Sequence, residues 1–166
     1  MQQQQQHQPI RYDEHEWRPR PTLTGHDYTS EEVWAEEKER IWWGDWVCLG
    51  REEEVGKPGD YLVRDLAGES VFITRDLDGE LHGFYNVCSH RGTKFLDDEP
   101  ASGSVRKAFS CPYHGWTYDL KGCLIGTPNV KEDERFDRDD YPLHGFPVET
   151  AAGFLFANLS RDPRPL

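Results

Sequence analysis

The sequence predicts a mainly β fold: a small antiparallel β-sandwich with an N-terminal helix and two hairpin loops that carry Cys and His. Three observations predict it. Short apolar stretches recur along most of the chain, punctuated by Gly, Pro and Asp. One early stretch has a helical period instead. Two Cys/His pairs each follow a strand-like run, and each is trailed by a glycine.

Residues 1–24 are polar, with a glutamine run (Gln2 to Gln6) and Pro9, Pro19 and Pro21, a composition that predicts a flexible arm. Residues 25–44 hold the helical segment, in "YTSEEVWAEEKERIWW". Thr29 and Ser30 are N-cap candidates there, and Thr29 with Glu32 fits a capping box. Val33, Trp34, Ile41 and Trp42 recur at roughly helical spacing, which predicts one apolar face. Residues 45–160 form the β domain. "DWVCLG", "DYLVRDL", "SVFITRD" and "ELHGFYNV" come first, with a two-residue hairpin expected at Asp78-Gly79. "SVRKAF", "WTYDL" and "CLIGTP" follow, the last two joined at Lys121-Gly122, then "GFPVET" and "GFLFANL" around Ala151 to Gly153. The run from Lys131 to Asp140 is charged at every position except Phe136; it predicts a solvated loop, or a docking surface for another subunit.

Composition narrows the function classes. The 166 residues suit one domain and a tail, and six Trp, seven Tyr and eight Phe suffice for a core. A formal net charge of −12, from 31 acidic and 19 basic residues, repels phosphate backbones, so nucleic-acid binding is not expected. No signal peptide and no apolar run long enough for a membrane span is present, which predicts a cytoplasmic protein. In that compartment Cys48, Cys88, Cys111 and Cys123 are thiols rather than a disulfide framework. Cys48 reads as an ordinary residue of a buried strand and Cys123 as one just past a turn.

The chemistry concentrates in two short stretches. In "CSHRG" Cys88 and His90 are one residue apart; in "CPYHGW" Cys111 and His114 are two apart. Gly92 and Gly115 follow closely and permit a positive φ, which lets backbone N–H groups face an anion. A zinc ion accepts two Cys and two His. Finger-type zinc sites, however, put both cysteines on one knuckle, whereas here each loop supplies one of each kind. That mixed pattern suits a binuclear [2Fe–2S] cluster, with both thiolates on one iron and both imidazoles on the other. None of His7, His15, His26, His82 or His144 falls at ligand spacing with another donor.

"NVCSHRG" and "CPYHGWTYDLKG" resemble the Rieske motif of the ring-hydroxylating and N-demethylating non-haem iron oxygenases. The resemblance extends through "SEEVWAEEKERIW", "PGDYLVRDLAGESVFITRD", "FDRDDYPL" and "GFLFANL", and is strongest toward the oxygenases of quaternary ammonium compounds such as choline, carnitine and glycine betaine. It implies a Rieske-type sandwich whose metal ligands are Cys88, His90, Cys111 and His114. Arg91, Gly92, Tyr113, Gly115, Trp116 and Tyr118 then surround the cluster, with Arg91 near it or bridging to a neighbouring subunit. Respiratory Rieske proteins have an additional disulfide between the loops and a serine that donates to the cluster. The matching places here are Thr93 or its neighbours, Tyr113 and Trp116, while their tyrosine is kept as Tyr118. Fewer hydrogen bonds to sulfur imply a potential nearer about −150 than +300 mV.

The family's oxygen chemistry takes place at a separate mononuclear Fe(II) held by two His and a carboxylate. After His114 the sequence has only His144, so the triad is expected in a further domain, to which residues 161–166 begin a linker. The resemblance implies three kinds of partner: an NAD(P)H-dependent reductase or ferredoxin, the catalytic domain or subunit of an oxygenase, and a homotrimer. A free-standing Rieske ferredoxin-like carrier and a zinc-binding interaction module are the alternatives.

Overall fold

The computed structural model describes residues 22–98, 101–128, 130 and 135–166. Most of the arm expected at 1–24, and residues 131–134 of the charged run, lie outside the described residues.

The helical segment departs from expectation. Helix α1 spans Gly25–Thr29 and α2 spans Glu31–Glu37. Ser30, not Thr29, is the N-cap of α2, accepting from the Val33 N–H at 3.3 Å. The reciprocal capping pair is Thr24 with Asp27, since the Thr29 hydroxyl is engaged with the Gly25 carbonyl at 3.0 Å. Lys38–Trp42 then widens into a π turn, closed by Trp43 N–H on the Lys38 carbonyl at 2.8 Å. The extra residue in that turn rotates the face that meets the sheet. Trp34, Ile41 and Trp42 are left 40, 54 and 38% exposed, and Trp43 docks instead, its Nε1 donating to the Leu66 carbonyl at 2.9 Å.

The strands are β1 (Val47–Arg51), β2 (Asp60–Leu66), β3 (Glu69–Arg75), β4 (Leu81–Tyr85), β5 (Ser102–Ser104), β6 (Ala108–Ser110), β7 (Thr117–Asp119), β8 (Leu124–Gly126), β9 (Gly145–Phe146), β10 (Val148–Ala151) and β11 (Phe154–Ala157). They make three antiparallel sheets, ordered β1-β11-β10, β5-β2-β3-β4-β9 and β6-β7-β8. The five-stranded sheet is covered on both faces. The period of two along β3 sends Phe72 to one core, with Val63, Phe84, Phe109 and Tyr118, and Val71 and Ile73 to the other, with Leu62, Leu155 and Ala157. Burying Phe72 completely stabilises the fold by roughly 1.5–3 kcal/mol.

Several connections differ in detail from the sequence pattern. Asp78-Gly79 belongs to a three-residue loop, because Asp76 N–H closes on the Glu80 carbonyl at 2.8 Å and Gly79 follows the turn at φ 92°. The two-residue turns are Ala67-Gly68 and Ala152-Gly153, with positive φ at both positions of each. "SVRKAF" divides between β5 and β6, which lie in different sheets. "GFPVET" breaks at Pro147, which has no N–H for a ladder: β9 pairs with β4 before it and β10 with β11 after it. Cys48 is exposed, contrary to expectation, because the same period of two in β1 turns Leu49 inward.

Candidate metal centre

Both Cys/His stretches fold into the same backbone turn. Gly92 N–H reaches the Cys88 carbonyl at 2.9 Å, and Gly115 N–H the Cys111 carbonyl at 3.0 Å. The cysteine N–H groups bond to the carbonyls of Thr93 and Trp116, at 2.8 and 2.7 Å. Gly92 and Gly115 have φ of 69° and 72°, the left-handed conformation that the glycines predicted. The histidines take different places on this shared turn, third in the first loop and fourth in the second.

The supports of the two turns are unlike. The second is a hairpin tip, with Ser110 opposite Thr117 in the β6–β7 pair. The first was expected to be one and is not. It leaves β4 for β5, which lies beyond β2 and β3 in the sheet. Asn86 takes the place of a partner strand. This buried amide donates to Ser70 Oγ and the Leu96 carbonyl, at 3.1 and 2.8 Å, and accepts from the N–H groups of Phe95 and Leu96, at 3.1 and 3.0 Å. The sequence reading missed it. Its one signal is a lone polar residue at the end of an apolar strand.

The turns bring Cys88, His90, Cys111 and His114 together. The thiols are 2 and 4% exposed and lie in the core beside Trp116 and Tyr118. The imidazoles are partly exposed, with ring centroids 4.8 Å apart. Burial raises the Cys88 thiol above its ordinary value; the His90 N–H and Tyr118 hydroxyl counter this and the neighbouring Cys111 thiol adds to it. The Tyr118 hydroxyl, 3.7 Å from Cys88 Sγ, is likewise raised by burial and by Cys88, so it keeps its proton. Burial, then the charges of His114 and Arg91, lower His90 and keep its imidazole neutral, the form that binds metals.

His114 Nδ1 is buried and has no hydrogen-bond partner. An orphaned imidazole nitrogen beside two sequestered thiols and a neutral histidine fits a metal group with mixed sulfur and nitrogen ligands. Tetrahedral zinc needs all four donors around a single centre, whereas a binuclear cluster takes two on each iron. A thiol pair within and an imidazole pair outside match the second pattern.

Residues 45–147 match the Rieske [2Fe–2S] domain. The chain belongs to that family. The cofactor of a Rieske domain is a [2Fe–2S] cluster, and the cluster transfers electrons. Over 135 residues this Rieske chain is 39% identical to the carnitine monooxygenase oxygenase subunit of Acinetobacter baumannii, which covers 81% of the chain and 36% of that protein. It is 34% identical to the chlorobenzene dioxygenase subunit alpha of Cupriavidus sp., over 91% of the chain and 32% of that subunit. The quaternary ammonium Rieske monooxygenase CntA superposes with a TM-score of 0.81 at 37% identity, over 87% of the chain and 40% of that structure. Naphthalene 1,2-dioxygenase superposes at 0.76 with 28% identity, over 83 and 31%. The chain thus spans about a third of the length of these oxygenase subunits.

Around the Rieske loops, Trp116 is buried and its ring stacks on that of His90, with centroids 4.5 Å apart and planes at 9°. Tyr113 is exposed and tilts over His114 at 3.8 Å. Arg91 lies at the surface beside a recess of about 470 Å³, lined also by His90, Tyr113, His114 and Pro128. Of the other histidines, His82 pairs with buried Asp76 at 2.9 Å, a partnership the sequence reading did not anticipate. Among the described residues, no helix is long and apolar enough to cross a membrane.

Proposed function

We propose that this Rieske domain is the electron-relay portion of an oxygenase α-subunit, with residues 45–160 as the relay unit and Cys88, His90, Cys111 and His114 as its metal ligands. The observation that carries this reading is the partition of the four donors into a sequestered thiol pair and an outward imidazole pair. When bound, the cluster stores and releases one electron at a time. The chain's own groups prepare the site. Tyr118 keeps its hydroxyl proton and offers it toward Cys88 sulfur, spreading the charge of a thiolate. His90 stays neutral, with a nitrogen lone pair to give. Gly92 and Gly115 turn the backbone tightly enough for both ends of each loop to meet. Arg91 places a cation beside the exposed imidazoles, where a partner's carboxylate could dock.

The relatives suggest the setting. Carnitine and arene oxygenation are the activities in their names, so we assign the chain to quaternary-amine demethylation or aromatic-ring hydroxylation. The mononuclear Fe(II) would belong to a catalytic domain beyond residues 161–166. The electrons would come from an NAD(P)H-dependent reductase or ferredoxin. A homotrimer would suit the inter-subunit electron transfer named for the CntA structure. The free thiols favour a cytoplasmic setting.

The test is compositional and spectroscopic. The purified chain should hold about two irons and two labile sulfides, and its reduced form should show a Rieske electron paramagnetic signal that His114→Ala abolishes. A full signal in His114→Ala removes that residue from the ligand set. Given a reductase, dioxygen and carnitine or an arene, residues 1–166 should take up electrons and form no product; product formation would overturn the relay reading.

A further inference from the structure

Beyond the two ligand loops, a third stretch is fastened to both of them. Residues 136–143 cross the site as a strap that passes through a short 3-10 turn at Arg138–Asp140. Ser89, between Cys88 and His90, donates through its hydroxyl to the Pro142 carbonyl, at 2.5 Å. Leu143 N–H bonds to the Gly122 carbonyl at 2.8 Å, and the Leu143 side chain is buried in the core that contains the thiols. On the other loop, Phe136 and Tyr141 both meet the Trp116 ring edge-to-face, with centroids 5.9 and 5.5 Å away. The two strap rings also stack on each other at 5.2 Å, with planes at 21°.

The geometry is a chain of rings that ends on an imidazole. The Trp116 ring lies nearly parallel to that of His90, and the two strap rings meet Trp116 edge-to-face. A stacked ring resists tilting of its neighbour, because tilting opens the contact on one edge and closes it on the other. Tilting Trp116 itself would open its contacts with Phe136 and Tyr141. Among the described residues His114 has no such buttress: the rings beside it are His90 itself, at 4.8 Å, and Tyr113, which is 60% exposed. Among the described residues, His90 alone of the two imidazoles stacks on a buried aromatic ring. The lock runs through residues 46 and 51 positions downstream of His90 (136 − 90 and 141 − 90).

We propose that Phe136 and Tyr141 are positioning residues: by clamping Trp116 they fix the ring plane of His90, and so its bond to the cluster iron. The proposal rests on the reading that His90 binds the cluster. It deepens that reading by making the strap a determinant of the electronic character of one of the two histidine ligands. The ring contacts of Phe136 and Tyr141 are with Trp116 and with each other, so their influence on His90 passes through Trp116.

The experiment uses the full cluster-loaded chain, reduced, and measures by pulsed electron paramagnetic resonance the coupling of each ligating nitrogen, together with the midpoint potential. Wild type should show two imidazole nitrogens; a single nitrogen would refute the underlying ligand set. Phe136→Ala combined with Tyr141→Ala should change one nitrogen coupling, leave the other in place, and shift the potential. Trp116→Leu should do the same more strongly, and Trp116→Phe, which restores a flat ring, should return most of the wild-type coupling. A merely structural role would lower cluster content and leave both couplings unchanged in the molecules that keep it. Should the double variant assemble no cluster, Tyr141→Leu is measured in its place, because Tyr141 lies at the surface side of the stack. Two wild-type nitrogen couplings in Trp116→Leu, or in the strap variants with cluster bound, overturn the proposal and leave the ligand set standing.

Discussion

The two ligand loops have the same backbone turn and opposite means of support. The loop at Cys111 stands on paired strands, and its two ends are already held together by the β6–β7 ladder. The loop at Cys88 has no such ladder, and one buried amide, Asn86, makes four side-chain hydrogen bonds, three of which tie its exit to its entrance and one of which anchors it to Ser70. The difference shows that the geometry of a metal loop and the means of stabilising it are separable. The turn demands a glycine at a fixed offset from the cysteine. What holds the turn together can be a sheet or a single side chain.

The comparison breaks most decisively at Asn86. Asn86→Leu keeps the volume and removes every side-chain hydrogen bond, leaving the Phe95 and Leu96 N–H groups without that partner. At about 1–3 kcal/mol for each group stranded in this way, the cost should be about 2–6 kcal/mol. Denaturant unfolding should report it, and cluster content should fall with it. Stability within about 0.5 kcal/mol of wild type would mean that the first loop has another support.

A smaller effect compares the turns themselves. Alanine at Gly92 or Gly115 forces a side chain into the left-handed region, at about 1–2 kcal/mol. Gly115→Ala should cost more, because its new Cβ would lie 3.2 Å from Pro128 Cγ, whereas at Gly92 the nearest atom is 3.9 Å away. Thermal unfolding of the two variants side by side checks the order. The reverse order would show that weak support, rather than crowding, limits substitution.

The last effect is confined to acid conditions and concerns a tie between the sheets that bear the loops. Lys121, in the turn between β7 and β8, reaches Asp78 at 2.6 Å and Asp76 at 3.5 Å in the turn between β3 and β4. Burial alone would raise Asp76, but hydrogen bonds from His82 and from the N–H groups of Glu80 and Asp78 prevail and hold it down at about 2, below its usual 3.8. A depressed carboxyl stabilises the fold fully above its unfolded value, and that stability disappears as pH falls through the folded one. The contribution, at most about 2 kcal/mol, should therefore be intact above about pH 4 and fade toward pH 2. Acid titration of wild type against Asp76→Asn should show the two curves converging in that window. Parallel curves would remove Asp76 from the acid response.

How much of this was legible in the sequence follows from which forces are local. The proposed ligands Cys88, His90, Cys111 and His114 stood out because residue type and glycine spacing are written within a few residues. Strands β2 and β3 could be read almost to their ends, since alternation and turn residues bound them. Asn86 was not legible, because its partners at Ser70 and Leu96 are remote and nothing local distinguishes it from a turn residue. The strap was visible as a charged run and as the stretch "FDRDDYPL" of the family resemblance, but the roles of Phe136 and Tyr141 depend on Trp116, twenty or more positions earlier. The helix misled for a related reason: a π turn moves the docking residue from Trp42 to Trp43, and period counting cannot see an inserted residue.

The burial gradient through the centre also sorts the four cysteines by how readily a thiol reagent can attack them. Cys48 and Cys123 are exposed, and burial with neighbouring carboxylates raises Cys123. Cys88 and Cys111 are sealed in the core. In the folded chain an alkylating agent reaches Cys48 and Cys123 at the surface, and the raised thiol of Cys123 slows its reaction because the thiolate is the reacting form. The two metal-site thiols are reached only when the surrounding core opens. Modification at Cys88 or Cys111 is therefore a clock for opening of the domain, and the two surface thiols serve as the built-in control for reagent activity.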